Sequence, residues 1–350
     1  MARIAILKPD HFGDLILAAP AIRAIASQNH DVTLYVAPGS AGLARVLFPR
    51  VGEIRRVTLP HLARSGQPTE GDVPDLGRAL DSHDLLIALR NDPPLRALLN
   101  QVATDHILVD DDHLVHETAL HRRALRPLLG HYSRTALFTG AALSWPDRLR
   151  HVGLCIAAGF PTNRWPITYW AELARRLAAE GVALTLIGGP RERTELLLLS
   201  RLISRIPHRV LRGDGDIPAF LDALDPVDLV IASDGGTAHL CALRKPVCSV
   251  FGSSPWRRYA PFGRHNVVMT RDEPCAPCVQ FSRVQINGCL SRECTTLLPA
   301  AAVAVYALSG DRTRCQAAGV RVEPGVSHRF AGNDGRPPAA RPAMRAMHPV

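Results

Sequence analysis

A strand-to-helix turn with two glycines is the segment of this sequence best suited to holding an anion. The apolar run 227–232 predicts a buried strand, and residues 233–239 (SDGGTAH) follow it directly. Free backbone N–H groups and the helix dipole meet at a helix N-terminus, and both favour a phosphate or diphosphate. Gly235 and Gly236 allow close approach to the backbone, and a neutral His239 can donate a hydrogen bond to a phosphate. A purely structural turn is the alternative interpretation.

Two other side chains of this turn have different expected roles. Thr237 stands where its hydroxyl can cap the helix. Asp234 would repel a bound anion because like charges repel. We therefore expect Asp234 to orient the loop or to accept a hydrogen bond from a ligand hydroxyl.

A second candidate segment joins the first predicted strand to the first predicted helix. Asp14 follows Gly13 near the start of that helix. Its carboxylate either caps the helix and favours the dipole or acts as a general base that faces the opposite domain. Lys8, at the end of the strand, could hold an anion or could be an ordinary surface charge. Asp10 is a competing carboxylate in the same loop.

Two loops in the second half of the chain carry arginines. Arg164 lies just before a helix expected to begin near Pro166, a favourable position for proline. Its planar guanidinium could clamp a phosphate, and the alternative is an exposed arginine beside a packed Trp165. The long loop 251–263 contains aromatic residues and two arginines. It could cover a nucleotide base or lie against the other domain.

Two clusters of potential metal ligands have alternative interpretations. Cys275, Cys278, Cys289 and Cys294 form two pairs whose spacing could bind zinc. The second pair has four intervening residues and the segment contains no histidine, so reduced thiols or a disulfide are the alternatives. The acidic triplet 110–112 ends a strand, and solvated turn carboxylates explain it better than a metal site.

Strand-like and helix-like segments alternate along the chain, which predicts parallel sheets covered on both faces. The expected strands are 3–7, 32–36, 54–59, 85–89, 106–109, 152–157, 182–187, 209–211, 229–232, 247–251 and 267–269. A looser stretch at 130–147 separates two α/β halves, so we expect domains at 1–147 and 148–310. Their cleft should lie at the carboxyl ends of the strands. Residues 311–350, rich in Pro, Gly, Ala and Arg, are expected to form a disordered tail.

Composition narrows the class of protein. Of the 350 residues, 47% are hydrophobic, and the formal net charge is +9. Residues 311–350 carry seven arginines against three acids, so the rest of the chain is only mildly basic. This favours a phosphate-bearing ligand or an anionic membrane surface over a dedicated nucleic-acid binder. No apolar run is long enough to span a membrane, and no signal peptide precedes the first strand, so a cytoplasmic protein is expected.

Taken together, these segments resemble glycosyltransferase family nine, the ADP-heptose:lipopolysaccharide heptosyltransferases. Four matching segments occur in the family's order between residues 3 and 308. They are Leu7–Arg23 with the lysine, Gly-Asp and proline; Arg164-Trp165-Pro166; the donor-site helix at Ser233–His239 with Pro246-Val247; and the loop with Phe251-Gly252 and Pro255. Each motif is modest alone, and their order and spacing make the combination specific.

The resemblance implies a GT-B fold, with two Rossmann-like domains facing a central cleft. It implies inverting transfer of a heptose-type sugar from an ADP-sugar to a lipopolysaccharide core or related glycan, without a metal or cofactor. Asp14 would deprotonate the acceptor hydroxyl, with Lys8 and Gly13 near the reaction centre. The donor-binding residues would be Arg164, Asp234, Gly235, Gly236, Thr237 and His239. Peripheral contact with the cytoplasmic face of the membrane would suit a glycolipid acceptor.

The chain departs from the family pattern at two donor-site positions. Asn163 stands where the family has a phosphate-binding lysine, and Gly235 replaces a common hydroxyl residue. Arg164 could take over from the lysine. Two alternative functions are a sugar-nucleotide epimerase on the same scaffold and a non-catalytic protein that binds a nucleotide sugar.

Overall fold

The structure is a computed structural model that describes residues 1–59, 75–132, 143–213, 216–278 and 288–325. The described residues form two sheets. The strands of the first sheet lie between residues 3 and 108, and those of the second lie between residues 151 and 324. No helix in these ranges is long and apolar enough to cross a membrane.

The first half is a five-stranded parallel sheet in the order β3-β2-β1-β4-β5. Its elements are β1 (Arg3–Lys8), α1 (Phe12–Ala26), β2 (Asp31–Val36), α2 (Ala41–Leu47), β3 (Glu53–Arg56), α3 (Leu76–Asp81), β4 (Leu85–Ala88), α4 (Pro93–Leu99), β5 (His106–Leu108) and α5 (Glu117–Leu129). The strand order reverses direction between β1 and β4. In an open α/β sheet, such a switch point opens a crevice at the carboxyl ends of the strands.

The second half is a seven-stranded sheet in the order β12-β11-β10-β9-β6-β7-β8. Its elements are β6 (His151–Cys155), α6 (Ile167–Ala179), β7 (Ala183–Gly188), α7 (Arg193–Leu202), β8 (His208–Arg212), α8 (Ile217–Asp222), β9 (Leu229–Ser233), α9 (Gly236–Ala242), β10 (Val247–Val250), α10 (Trp256–Tyr259), β11 (Val267–Thr270), α11 (Glu293–Thr296), α12 (Ala300–Ser309), α13 (Arg312–Ala317) and β12 (Arg321–Pro324). Its switch point lies between β6 and β9, so the loops after these two strands share one crevice.

The end of the described chain corrects one expectation. Residues 311–325, assigned by composition to a disordered tail, form α13 and the antiparallel edge strand β12. Asp311 caps α13 by accepting a hydrogen bond from the Arg314 N–H at 3.1 Å. Cys315 and Val320 are fully buried in the core of the second half. These few apolar anchors are enough to order the segment, although its overall composition is polar. Residues 326–350 lie outside the described residues.

The two halves share a continuous apolar core. Residues of α1, such as Ile16 and Ala19, belong to the same buried cluster as Ala238 and Cys241 of α9. Helices α1 and α9 pack directly against each other. Because α1 follows β1 and α9 follows β9, this packing brings the two switch-point crevices together.

Candidate active site

Two glycines bring the loop before Asp14 into contact with the turn at residues 233–239. A Cβ atom built on Gly13 would lie 2.9 Å from Cα of Gly236 and 3.1 Å from Cδ2 of His239. A Cβ built on Gly236 would lie 2.8 Å from Cζ of Phe12. Real Cβ atoms do not approach backbone atoms as closely as 2.9 Å, so position 13 needs glycine, whereas a side chain at position 236 would displace the ring of Phe12. The structure therefore places two of the predicted site segments against each other, although more than 200 residues separate them in the sequence.

Asp14 has the electrostatic surroundings of a group that titrates near neutrality. The residue is partly buried, and burial followed by the negative charge of Asp10 raises its pKa to about 7. The charges of Lys8 and Arg258 act in the opposite direction. Among the described residues, no side chain donates a hydrogen bond to this carboxylate. A carboxylate with a pKa near the working pH can act as a general base.

Lys8 is a buried, paired cation and not a surface charge. Only 1% of its surface is exposed. Its Nζ donates to the carbonyl of Leu89 at 2.7 Å and lies 2.8 Å from Asp10 and 3.2 Å from Glu117. Burial alone would lower the pKa of Lys8, but the two carboxylates outweigh it and raise the pKa. Lys8 therefore keeps its positive charge close to Asp14.

Glu117 and Arg258 are two central residues that the sequence did not single out. Glu117 begins α5, and its carboxylate pairs with Lys8 through one oxygen and with Nε of Arg258, at 2.9 Å, through the other. Burial would raise the pKa of Glu117, but Lys8 and a hydrogen bond from His121 hold it well below its usual value. Arg258 comes from α10, so this buried pair joins the two halves.

The loop at 251–263 lies against the first half, one of its two expected positions. Besides Glu117, Arg258 contacts Asp111, and Nε2 of His116 is 3.0 Å from the carbonyl oxygen of Ala260. Asp112 accepts a hydrogen bond from the Leu114 N–H at 2.8 Å. The carboxylates of the acidic triplet therefore shape a turn and form ion pairs. This agrees with the interpretation of residues 110–112 as turn carboxylates that the sequence analysis preferred to a metal site.

Asn163 holds Asp234 in place on the opposite side of the site. Nδ2 of Asn163 donates to Asp234 at 2.7 Å and to Oγ of Ser254 at 2.8 Å. The hydroxyl of Ser253 donates to the amide oxygen of Asn163. Burial raises the pKa of Asp234 to about 6, against the hydrogen bond of Ser254, which lowers it. At the position of the family's lysine, the chain thus has a neutral residue that orients the carboxylate.

His239 lies beside Gly13 as a neutral imidazole. Burial and the neighbouring His116 lower its pKa to about 3. It can therefore donate a hydrogen bond from one ring nitrogen at any pH near neutrality. The expected capping role of Thr237 is wrong, because α9 already begins at Gly236 and no side chain caps it. The hydroxyl of Thr237 consequently lies in the first turn of the helix.

Arg164 is the predicted site residue that the structure does not bring to this cluster. Its Nη1 pairs with Glu195 of α7 at 3.0 Å, and about half of the Arg164 side chain is exposed. Trp165 next to it is buried and donates to the carbonyl of Leu298 at 2.9 Å. This is the arrangement of an exposed arginine beside a packed tryptophan.

The four clustered cysteines do not form the geometry of a zinc site. All four are free thiols, with Cys275 exposed and Cys294 buried. Burial, followed by the neighbouring Cys278, raises the pKa of Cys294 to about 11. Across the described ranges, no group of three or more His, Cys, Asp or Glu side chains is arranged to hold a metal ion.

Comparisons with known proteins agree with this architecture. The family model of glycosyltransferase family 9 (heptosyltransferase) matches residues 134–288. Lipopolysaccharide heptosyltransferase 1 of Pseudomonas aeruginosa is 30% identical over 120 residues, which are 34% of this chain and 33% of that protein. The matched stretch thus spans a third of the curated relative.

Solved structures extend the likeness of the fold to most of the chain. Escherichia coli heptosyltransferase WaaC with ADP has a TM-score of 0.57 and 17% identity, covering 76% of this chain and 92% of WaaC. The iron-containing heptosyltransferase TibC of enterotoxigenic E. coli, in complex with ADP-D-beta-D-heptose, has a TM-score of 0.51 and 14% identity, covering 86% of this chain and 73% of TibC. The resemblance predicted from the motifs is confirmed: residues 134–288 match the glycosyltransferase family 9 (heptosyltransferase) model, and the fold is of the GT-B type.

Proposed function

We propose that the chain is an inverting glycosyltransferase that moves a heptose-type sugar from an ADP-sugar to a lipopolysaccharide core or related glycan acceptor. The observation that carries the proposal is the position of Asp14. A carboxylate with a pKa of about 7 stands where Gly13 touches the turn at Gly236 and His239. The family match and the ADP-bound relatives support the choice of donor.

The acceptor side of the reaction uses Asp14 as the general base. Its carboxylate takes the proton of the acceptor hydroxyl while the hydroxyl oxygen attacks the anomeric carbon of the sugar. The bond from that carbon to the diphosphate breaks in the same displacement, ADP leaves, and the configuration inverts. The paired cations Lys8 and Arg258 offset the acids around Asp14 and keep its pKa near neutrality.

On the donor side, charge grows on the leaving diphosphate. Backbone N–H groups at the start of α9 and the neutral imidazole of His239 would stabilise that charge without competing for a proton. Asp234, held by Asn163 and Ser254, would accept a hydrogen bond from a sugar hydroxyl. Arg164 would reach the diphosphate only by leaving Glu195, and an exposed pair of this kind costs about 1 kcal/mol or less to break.

Metal independence is part of the proposal. In the mechanism above, hydrogen-bond donors of the turn stabilise the negative charge on the leaving diphosphate, the task that a metal cation would otherwise perform. The iron of TibC belongs to that protein. We expect full activity after dialysis against a chelator. A loss that only added metal restores would contradict this part.

A transfer assay with a matched control tests the function. The protein is incubated with ADP-heptose and a lipopolysaccharide-core acceptor, and ADP release and product mass are measured. We expect acceptor-dependent ADP release that Asp14→Asn abolishes while donor binding stays. Asp105→Asn, an exposed aspartate at the opposite end of the first sheet, is the control and should be fully active. An epimerised donor without transfer would favour the epimerase alternative. Donor binding without any turnover would favour a non-catalytic protein.

A further inference from the structure

The ring of Phe12 lies against the turn at residues 233–239, which is expected to hold the donor diphosphate. Phe12 begins α1 in the first half and is partly buried. A Cβ atom built on Gly236, the first residue of α9, would lie 2.8 Å from Cζ of Phe12 and 3.0 Å from each of its Cε atoms. These three atoms form the far end of the ring. Phe12 therefore directs the end of its ring at the start of α9, across the boundary between the two halves.

Gly13 continues this contact along the backbone. A Cβ atom built on Gly13 would lie only 3.6 Å from the backbone nitrogen of Gly236. An anion that accepts a hydrogen bond from this nitrogen must place an oxygen about 2.9 Å from it, and a phosphate group needs further room behind that oxygen. The Phe12–Gly13 segment occupies this room on the side of the first half.

The other side of the turn is covered by the second half itself. A Cβ atom built on Gly235 would lie 2.9 Å from the carbonyl oxygen of Ala157 and 3.2 Å from the nitrogen of Gly159. The Gly159 N–H also donates a hydrogen bond to the carbonyl of Asp234 at 3.1 Å. Loop 157–159 is therefore attached to the turn by its backbone. Of the two covers, the Phe12–Gly13 segment is the one that separates from the turn when the halves move apart.

We propose that Phe12 closes the empty donor turn, and that its ring competes with the donor diphosphate for the space beside Gly236. This inference rests on the proposed function, because that function makes the turn the diphosphate site. The contact of the ring is apolar, and breaking it costs free energy in proportion to the area exposed to water. Phe12 is thus a positioning residue. It determines the fraction of molecules whose donor turn is open, and the apparent affinity for the donor scales with this fraction.

Polar contacts elsewhere between the halves allow the role of Phe12 to be tested separately. Arg258 pairs with Glu117 at 2.9 Å, and Nε2 of His116 is 3.0 Å from the carbonyl oxygen of Ala260. Both contacts belong to the loop at 251–263 and not to the turn at 233–239. A shorter side chain at position 12 therefore uncovers the turn while these contacts continue to join the halves.

Stopped-flow binding of a fluorescent ADP analogue, N-methylanthraniloyl-ADP, to the full chain tests the competition. Phe12→Leu removes the Cε and Cζ atoms that face Gly236 but keeps an apolar side chain at the start of α1, and Phe12→Ala shortens the side chain further. We expect both variants to associate about tenfold faster than the unmodified chain, a factor equivalent to about 1.4 kcal/mol of lost ring burial. The dissociation rate constant should stay unchanged, because the ring does not touch the turn once the nucleotide is bound.

A matched control makes the same kind of change elsewhere. Tyr169→Leu shortens another partly buried aromatic residue, on α6, and should bind the nucleotide like the unmodified chain. The inference is overturned if the Phe12 variants associate at the unmodified rate, or if they dissociate faster, which would mean that Phe12 contacts the nucleotide itself. If neither the unmodified chain nor the variants bind the nucleotide, the diphosphate site and this inference both fail. If the variants bind as expected but no transfer occurs, the inference is supported and only the proposed transfer reaction fails.

Discussion

Removing the charge of Asp10 should move the pH dependence of transfer to lower pH. Asp10 pairs with Lys8 at 2.8 Å and with Arg90 at 2.7 Å. Its charge is the second largest cause of the raised pKa of Asp14, after burial. Asp10→Asn removes that repulsion and leaves the charge of Lys8 less compensated. Both effects favour the ionised form of Asp14, so the pKa of Asp14 must fall.

The size of the expected change in kcat/KM follows from the pKa of Asp14 relative to the pH of the assay. With a pKa of about 7, Asp14 is about one-tenth ionised at about pH 6 and about nine-tenths ionised at about pH 8. Burial, the larger cause, is unchanged by the substitution, so we expect a fall of about one pKa unit. Asp14 would then be about half ionised at about pH 6. If the ionised form is the active base, kcat/KM at that pH rises about fivefold, with almost no change at about pH 8.

The assay is the pH profile of kcat/KM from acceptor-dependent ADP release, measured for the unmodified chain, Asp10→Asn and the control Asp105→Asn. The acid limb of Asp10→Asn should lie about one unit below the other two. The loop should stay in place because Lys8 keeps its bonds to Leu89 and Glu117. A variant that loses activity equally at every pH, or whose acid limb moves upward, would refute the reasoning about Asp14.

Three other predictions follow from the same site. His239→Ala should weaken ADP binding by the same factor across the neutral range, because the imidazole is already neutral there; calorimetry that shows a pH-dependent loss would contradict this. Glu117→Gln leaves two buried cations with one partner fewer and should cost about 3 kcal/mol of unfolding free energy, with denaturant unfolding as the measurement; an unchanged midpoint would argue against the buried pair. The pKa of Asp14 is higher in the folded protein than in the unfolded chain, so ionisation of Asp14 favours unfolding. The resulting loss of folding free energy grows between pH 3.8 and about 7 and is complete above that range. Asp14→Asn should therefore melt at a higher temperature than the unmodified chain at about pH 8, and the difference should vanish near about pH 4; a variant that melts lower at about pH 8 would contradict the raised pKa.

The strands and the turns that follow them could be predicted from the sequence because they depend on local patterns. Apolar runs such as Arg3–Leu7 and Leu229–Ala232 are buried strands, and the turns after them carry Asp14 and Asp234. Periodicity and turn residues are encoded over a few neighbouring positions. The short helix α2 at Ala41–Leu47 was missed, since seven residues contain too little periodicity to be distinctive.

The charge network could not be predicted because its members are distant in sequence. Lys8 and Glu117 are 109 residues apart, and Glu117 and Arg258 are 141 residues apart. Nothing local distinguishes a buried glutamate at a helix start from one that only favours the dipole. The position of Arg164 depended in the same way on Glu195, a partner on another helix. Such pairings are decided by tertiary packing.

The contact of Arg258 with the first half affects how strongly Asp14 binds its proton. The positive charge of Arg258 lowers the pKa of Asp14, and it does so only while α10 lies against Glu117. Separation of the halves would remove this charge, but it would also expose Asp14 to water, and burial is the largest cause of the raised pKa of Asp14. We therefore expect opening to lower the pKa of Asp14 and release a fraction of a proton, and closing to take it up. Opening of the halves would then both release the products and return Asp14 to its ionised form. Calorimetry of ADP binding in buffers with different ionisation enthalpies would detect this exchange, and identical heats in all buffers would exclude it.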